Sequence, residues 1–235
     1  MQLFYAPAID KEQSTFTFDK DESKHIIRVL RKKEGDILFV TNGRGTLFET
    51  RISLASDRSC LTDIVGYTDK EQTPFRLHLA VAPTKMNERY EWFLEKATEI
   101  GIHEITPIIC DHSERKVVKT ERFEKIIQSA MKQSLQLHLP QLNEPITLKE
   151  FLKQDHQGAL YIAHCEDDQT KELLKNKIQP QENYLLLVGP EGDFSPVEIK
   201  IALEKGFKPV SLGHTRLRTE TAALVACHSF VFANE

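Results

Sequence analysis

The chain has 235 residues, of which 40% are hydrophobic and 28% charged, and its formal net charge is −4. This balance is typical of a soluble globular protein and argues against intrinsic disorder. No apolar stretch approaches the ~20 residues of a membrane-spanning helix, and the first residues lack the pattern of a secretory signal, so we expect a cytoplasmic protein. The four cysteines are scattered without a C-x-x-C pair, which favours reduced thiols over a disulfide framework or a zinc site.

Residues 1–68 have the pattern of a small β domain. Runs rich in β-branched and aromatic residues predict strands at 15–18, 36–41, 46–53 and 60–68. The Asn-Gly-Arg-Gly sequence at 42–45 predicts a hairpin turn. One amphipathic helix is predicted from Asp21 to Arg31, with Ile26, Ile27 and Leu30 on one face. Closely spaced strands with one short helix indicate a small barrel.

The polar stretch 69–74 predicts a domain boundary, which gives domains at 1–70 and 74–235. Beyond it, strands and helices alternate. Strands are predicted at 75–82, 105–110, 159–164, 184–188 and 208–212, and helices at 86–100, 121–135, 195–205 and from 219 onward. Ser195 and Glu198 form the S-x-x-E pattern of a helix start. This alternation predicts a parallel sheet covered by helices on both faces.

Two of the predicted strands end in unusual loops. The strand 184–188 continues directly into Gly189-Pro190-Glu191-Gly192, and the strand 208–212 continues into a glycine and a loop with two arginines. Open parallel sheets bind ligands at the carboxyl ends of their strands. Neither loop matches the phosphate-binding pattern G-x-x-x-x-G-K-[ST] or the G-x-G-x-x-G of nicotinamide enzymes. The pattern therefore predicts a glycine-lined pocket, made by two loops, for a flat, mostly neutral, adenosine-like ligand held by backbone groups.

The combination of V-G-P-E-G, S-P-x-E and L-G-x-x-x-L-R-T-E-T-A resembles the RsmE family of SPOUT methyltransferases. The likeness extends over nearly the whole chain, including H-I-I-R-V-L-R at 25–31. It implies an α/β fold class: an N-terminal PUA-like RNA-binding β-barrel and a C-terminal SPOUT domain with a parallel sheet and a trefoil knot. It also implies S-adenosylmethionine as cofactor, a homodimer, no metal, no membrane, and N3-methylation of one uridine in small-subunit (16S) ribosomal RNA, free or in the assembled subunit.

The resemblance also assigns the site residues. The cofactor-binding residues that it implies are Leu187, Gly189, Pro190, Glu191, Gly192, Leu212, Gly213, Leu217, Arg218 and Thr219. Arg218 is our candidate for stabilising developing negative charge, and Glu220 is a second catalytic candidate. Simpler interpretations exist: Glu220 as a dipole partner in a first helical turn, Thr219 as a helix N-cap, and Asp167 and Asp168 as solvated loop residues.

A basic group in the first domain suggests an RNA-binding surface. Its members are Lys24, His25, Arg28, Arg31 and Arg44. By itself such a group is more often a solvated face, but beside a small barrel we expect it to contact phosphates.

Two residues depart from the family's pattern. The family often has Gly where Asp193 stands, and Gln136 occupies a place where we expect Arg. Two other functions remain open from the sequence: a SPOUT enzyme acting on another RNA or on a ribose hydroxyl, and a non-catalytic RNA-binding factor for ribosome assembly.

Overall fold

The computed structural model describes residues 1–166 and 171–235, so Asp167 and Asp168 lie outside the described residues. Two compact units make up the chain. The first consists of Met1–Gln72 and Met131–Leu139, and the second of Thr73–Ala130 and Pro140–Glu235. Each has its own buried apolar cluster.

The first unit is built on a curled five-stranded sheet, a half-barrel that confirms the β-rich fold predicted for this region. Its order is β1-β3-β4-β5-β2. The pair β1 and β3 is parallel and the other pairs are antiparallel. The strands are β1 (Leu3–Tyr5), β2 (Thr15–Thr17), β3 (Ile37–Thr41), β4 (Thr46–Leu54) and β5 (Leu61–Asp69).

The turn between β3 and β4 is a hairpin, as the Asn-Gly-Arg-Gly sequence predicts. Gly43 and Gly45 have φ values of 74° and 94°, which glycine adopts without a steric cost. At Gly45 a Cβ atom would lie 2.7 Å from the Lys70 carbonyl oxygen, so a larger residue would force the backbone to shift there.

The helix of the first unit is less regular than its sequence predicts. Helix α1 (Lys20–Lys24) is capped by Asp19, whose side chain accepts a hydrogen bond from the Glu22 amide. The chain continues as a π-helical turn over His25–Val29. Arg31 has a φ of 57°, which ends the helical path there. Ile26 is fully buried, as predicted, while Ile27 and Leu30 pack at the edge of the core.

The second unit contains an all-parallel sheet, as predicted. Its order is β11-β13-β10-β12-β6-β7-β8, and β9 pairs with β7. The strands are β6 (Leu77–Val81), β7 (Glu104–Ile109), β8 (Gln141–Leu142), β9 (Ile146–Thr147), β10 (Ala159–Ala163), β11 (Glu172–Leu173), β12 (Tyr184–Val188) and β13 (Lys208–Ser211). The trefoil knot that the resemblance implies stays a prediction.

Five α-helices of the described residues accompany this sheet. They are α2 (Asn87–Ile100), α3 (Thr120–Gln133), α4 (Leu148–Phe151), α5 (Pro196–Glu204) and α6 (Thr219–Phe232). Helix α5 starts with the predicted capping box, in which the Ser195 hydroxyl accepts from the Glu198 amide and the Glu198 carboxylate accepts from the Ser195 amide. Among the described residues, none of the helices combines the length and the hydrophobicity that crossing a bilayer requires.

Candidate functional site

A cavity of about 370 Å³ lies at the carboxyl ends of β10 and β12, and the loop after β13 closes it on a further side. Strands β10 and β12 are direct neighbours, with Ala163 opposite Val188 at their ends, and β13 pairs with β10 on its other side. The loops that follow these strands line the cavity. This placement is the one that open parallel sheets use for ligands, and the volume suits a small molecule.

The lining of this cavity combines apolar walls with four charged side chains. Ala163, Val188, Pro190, Leu217 and Ala222 are among the apolar residues, and the charged ones are Glu191, Asp193, Arg216 and Arg218. A second cavity of about 530 Å³ adjoins it, because the two share Ala163, Cys165, Arg216, Leu217 and Ala222. Leu212 and Gly213 line this second cavity.

Other residues approach the two glycines of the loop after β12 so closely that a side chain there would be tightly packed. A Cβ atom on Gly189 would lie 3.1 Å from the ring of Phe194, and one on Gly192 would lie 3.1 Å from Cβ of His112. Nδ1 of His112 lies 3.0 Å from the Gly192 carbonyl oxygen. His112 belongs to the loop after β7, so this loop hydrogen-bonds to the glycine loop.

Thr219 connects helix α6 to the glycine loop. Its buried hydroxyl donates a hydrogen bond of 3.0 Å to the Gly189 carbonyl. The interpretation of Thr219 as the N-cap is wrong, since Arg218 occupies the N-cap position with extended backbone and Thr219 is the first helical residue. The hydroxyl bonds another loop and does not cap its own helix.

The two catalytic candidates occupy different environments. Arg218 is exposed and lines the cavity. Glu220 is buried, with Oε1 3.9 Å from Nε of Arg89 on α2, and its Oε2 has no hydrogen-bond partner among the described residues. Glu220 is not part of the described lining of either cavity.

Glu191 ties the glycine loop to the loop after β6. Its Oε1 accepts a hydrogen bond of 3.0 Å from the Lys85 amide. Arg115 holds the same segment, since it donates to the carbonyls of Thr84 and Lys85 at 3.2 and 2.8 Å. The glycine loop is therefore fixed on the side away from β10 as well.

The structure brings most of the predicted cofactor-binding residues together. Those that line the first cavity are Gly189, Pro190, Glu191, Leu217, Arg218 and Thr219. Two predicted residues are not part of the described lining of either cavity: Leu187 is a buried residue of β12 in the hydrophobic core, and Gly192 packs on His112.

The end of β10 contributes residues to the site. From the sequence, His164 at the end of the predicted strand is a candidate for the border of the pocket, although a structural role is favoured, and Ala163 and Cys165 are not assigned to the site. Ala163 and Cys165 line both cavities, and the buried His164 lines the second one. Their only signal is the position of the predicted strand 159–164 beside the one that ends in the glycine loop. The ammonium of Lys171 donates a hydrogen bond of 2.9 Å to the His164 carbonyl.

Among residues 1–166 and 171–235, no group of three or more His, Cys, Asp or Glu side chains is arranged to hold a metal ion.

The basic residues of the first unit lie on two elements. Lys24 is exposed at the end of α1, and the partly buried His25 begins the π-helical turn that carries the exposed Arg28. Nε of Arg28 donates to Oδ2 of Asp57 at 2.8 Å, which neutralises part of its charge. The exposed Arg31 follows at the left-handed position.

Arg44 lies apart from that segment, on the hairpin between β3 and β4. It is exposed, and Nη1 donates a hydrogen bond of 3.0 Å to the Pro7 carbonyl. Its backbone forms a bridge with His138, whose pKa is lowered by burial and by the charge of Lys70.

Comparison with known proteins identifies the family. Residues 71–231 match the model of an RNA methyltransferase domain, and residues 18–65 match an RNA methyltransferase PUA domain. The chain belongs to the RsmE family of SPOUT RNA methyltransferases. A relative named ribosomal RNA small subunit methyltransferase E from Rickettsia conorii is 30% identical over 217 residues, which are 92% of this chain and 88% of the relative.

Solved structures support the same family. A probable rRNA methyltransferase from Porphyromonas gingivalis is 43% identical with a TM-score of 0.90, and the match covers 100% of this chain and 98% of that one. A ribosomal RNA small subunit methyltransferase E from Neisseria gonorrhoeae, solved bound to S-adenosylmethionine, is 26% identical with a TM-score of 0.84 over 97% and 95% of the two chains.

Proposed function

We propose that this chain is a methyltransferase of small-subunit ribosomal RNA that uses S-adenosylmethionine to methylate N3 of one uridine. The main support is the cavity at the carboxyl ends of β10 and β12, which two loops of the family's pattern enclose. The coarser part, a methyltransferase of small-subunit ribosomal RNA, rests on family membership and on relatives of that name. The uridine N3 target rests on the resemblance described above.

The lining fits S-adenosylmethionine. Apolar side chains offer a surface for the adenine ring, and two carboxylates, on Glu191 and Asp193, suit a ligand with positively charged groups. When bound, this cofactor supplies an electrophilic methyl group on a sulfonium. We propose that the residues that hold it include Gly189, Pro190, Leu212, Gly213, Leu217 and Thr219.

Arg218 is the proposed catalytic residue for the developing charge. N3 of uridine carries a proton, and its loss spreads negative charge onto the neighbouring carbonyl oxygens. A guanidinium at the cavity wall stabilises that charge in the transition state.

Glu220 is the proposed acceptor of that proton, because its Oε2 has no partner among the described residues. The described cavity lining does not include Glu220, but this residue follows Arg218 by two positions in the first turn of α6.

RNA binding is the role that we propose for Lys24, His25, Arg28, Arg31 and Arg44. Four of the five are exposed, and phosphate contacts of this kind position an RNA without reading its sequence. We further propose a cytoplasmic homodimer, on the basis of the family resemblance.

The proposed reaction is tested with purified protein, S-adenosylmethionine and small-subunit RNA that lacks the modification, either free or in assembled subunits. Mass spectrometry of the digested RNA should show one 3-methyluridine. A 2′-O-methyl nucleoside would support the alternative of a ribose methyltransferase. No methylation of either substrate, together with RNA binding, would support the assembly factor.

The first testable prediction concerns Arg218→Ala. We expect turnover to fall about 10²- to 10³-fold, as when one group that stabilises an oxyanion is removed, with little change in cofactor affinity. Single-turnover kinetics and calorimetry with S-adenosylmethionine measure the two quantities. Lys200→Ala, an exposed change on α5, is the control. Equal losses in affinity and turnover would contradict the assignment.

A further inference from the structure

Asp193 has a backbone conformation that is unusual for its residue type. Its φ is 63°, in the left-handed region that glycine occupies most easily. An aspartate in such a position has a modest steric cost, so its side chain must provide a compensating interaction.

The carboxylate of Asp193 joins the loops of two neighbouring strands. Oδ2 accepts a hydrogen bond of 2.7 Å from the amide of Cys165, after β10, and Oδ1 accepts one of 2.9 Å from the amide of Phe194. Two donors from different loops fix both oxygens. The carboxylate is therefore held rigidly in the wall of the first cavity.

The charge of Asp193 is not neutralised by these contacts. Both donors are neutral backbone amides, and none of the ion pairs found among the described residues includes Asp193. The two arginines that line the same cavity, Arg216 and Arg218, are exposed. Glu191 is exposed too, while Asp193 is partly buried, where a charge interacts more strongly with a ligand.

We propose that Asp193 is a specificity residue that distinguishes the cationic cofactor from its neutral product. This inference rests on the proposed function. S-adenosylmethionine and S-adenosylhomocysteine share the adenosine, the amino group and the carboxylate, and differ in the methyl group and the positive charge on sulfur. A fixed carboxylate in the wall favours the charged form, so the site exchanges the spent product for fresh cofactor.

The test compares affinities for the two ligands by calorimetry, in the wild type and in Asp193→Asn and Asp193→Gly. We expect the wild type to bind S-adenosylmethionine more tightly than S-adenosylhomocysteine. In each variant the ratio of the two affinities should fall about five- to tenfold. Asp193→Asn keeps the size of the side chain and an oxygen that can accept from one of the two amides, whereas Asp193→Gly removes the backbone strain together with both hydrogen bonds. A similar loss of preference in the two variants therefore points to the missing charge, which is the change that they share. Asp155→Asn, an exposed residue outside the described lining of both cavities, is the matched control with the same charge change.

The outcomes separate this inference from the proposed function. If the ratio of affinities stays unchanged in both variants while both ligands bind, the carboxylate only positions the loop and the inference is overturned. Sinefungin, which carries an amine in place of the sulfonium, should weaken together with S-adenosylmethionine if charge is the cause. Failure of the wild type to bind any of the three ligands would instead reject the proposed cofactor.

Discussion

At the scale of single residues, Glu220 is buried in a way that costs stability. One carboxylate oxygen lies 3.9 Å from the Arg89 guanidinium, beyond hydrogen-bond distance, and the other has no partner among the described residues. Burying a carboxylate without full compensation is unfavourable, and residues that retain such a cost are often functional.

Glu220→Gln tests this interpretation. The amide keeps the shape and removes the charge, so we expect the free energy of unfolding to stay equal or to rise. Turnover should fall about 10²-fold or more, as when a general base is removed. Urea denaturation and single-turnover kinetics measure both. If the variant is less stable but equally active, Glu220 is only a structural partner of Arg89.

At the scale of elements, a buried hydrogen bond joins the first residue of α6 to the glycine loop. Thr219→Val removes the hydroxyl and leaves the Gly189 carbonyl without this donor, whereas Thr219→Ser keeps it. We expect the valine variant to lose about 1–3 kcal/mol of unfolding free energy, the usual cost of an unsatisfied buried polar group. Its affinity for S-adenosylmethionine should also fall, because both residues line the cavity. Denaturation and calorimetry check this; a serine variant as weak as the valine one would show that the methyl group matters instead.

Elements with a complete local signal were predictable from the sequence. Strand β12 spans the predicted Tyr184–Val188 because all five residues are buried and apolar. Helix α5 begins where its capping box predicts. The two-residue strand β8, Gln141–Leu142, has no such signal, since it forms only by pairing with β7. The π-helical turn at His25–Val29 has none either, because its sequence suits an ordinary helix.

The candidate site was predictable in part for the same reason. Glycine loops such as 189–192 are visible as sequence patterns. The contact of the Asp193 carboxylate with the Cys165 amide joins residues 28 positions apart, and no local pattern indicates it. The segment Met131–Leu139 likewise belongs to the first unit through long-range contacts such as that of His138 with the β3–β4 hairpin.

At the scale of the whole molecule, stability depends on partly buried polar groups at the amino ends of β6 and β7. His78 hydrogen-bonds to Thr106 Oγ1 at 2.7 Å, and its Nδ1 lies 3.8 Å from Glu104. Burial lowers the pKa of His78 to about 4; the charge of Glu104 opposes this shift, and those of His156 and Arg76 add to it. Although burial alone would raise the pKa of Glu104, this pKa is lowered by His78, Asn143 and Arg76.

Both shifts make the fold sensitive to acid. An unfolded histidine binds a proton near pH 6.5, while His78 in the folded chain stays neutral down to about pH 4, so the unfolded state takes up more protons between these values. Stability is therefore present above pH 6.5 and is lost as the pH falls toward 4. The lowered pKa of Glu104 acts in the same direction, because its stabilisation is lost as the carboxylate is protonated.

His78→Gln isolates the histidine contribution, since glutamine can still hydrogen-bond to Thr106 but does not titrate. Between pH 7 and pH 5 we expect the wild type to lose about 2 kcal/mol more unfolding free energy than the variant. Urea denaturation at the two pH values measures the difference. Equal losses in the two proteins would mean that His78 is protonated as readily in the folded chain as in the unfolded one.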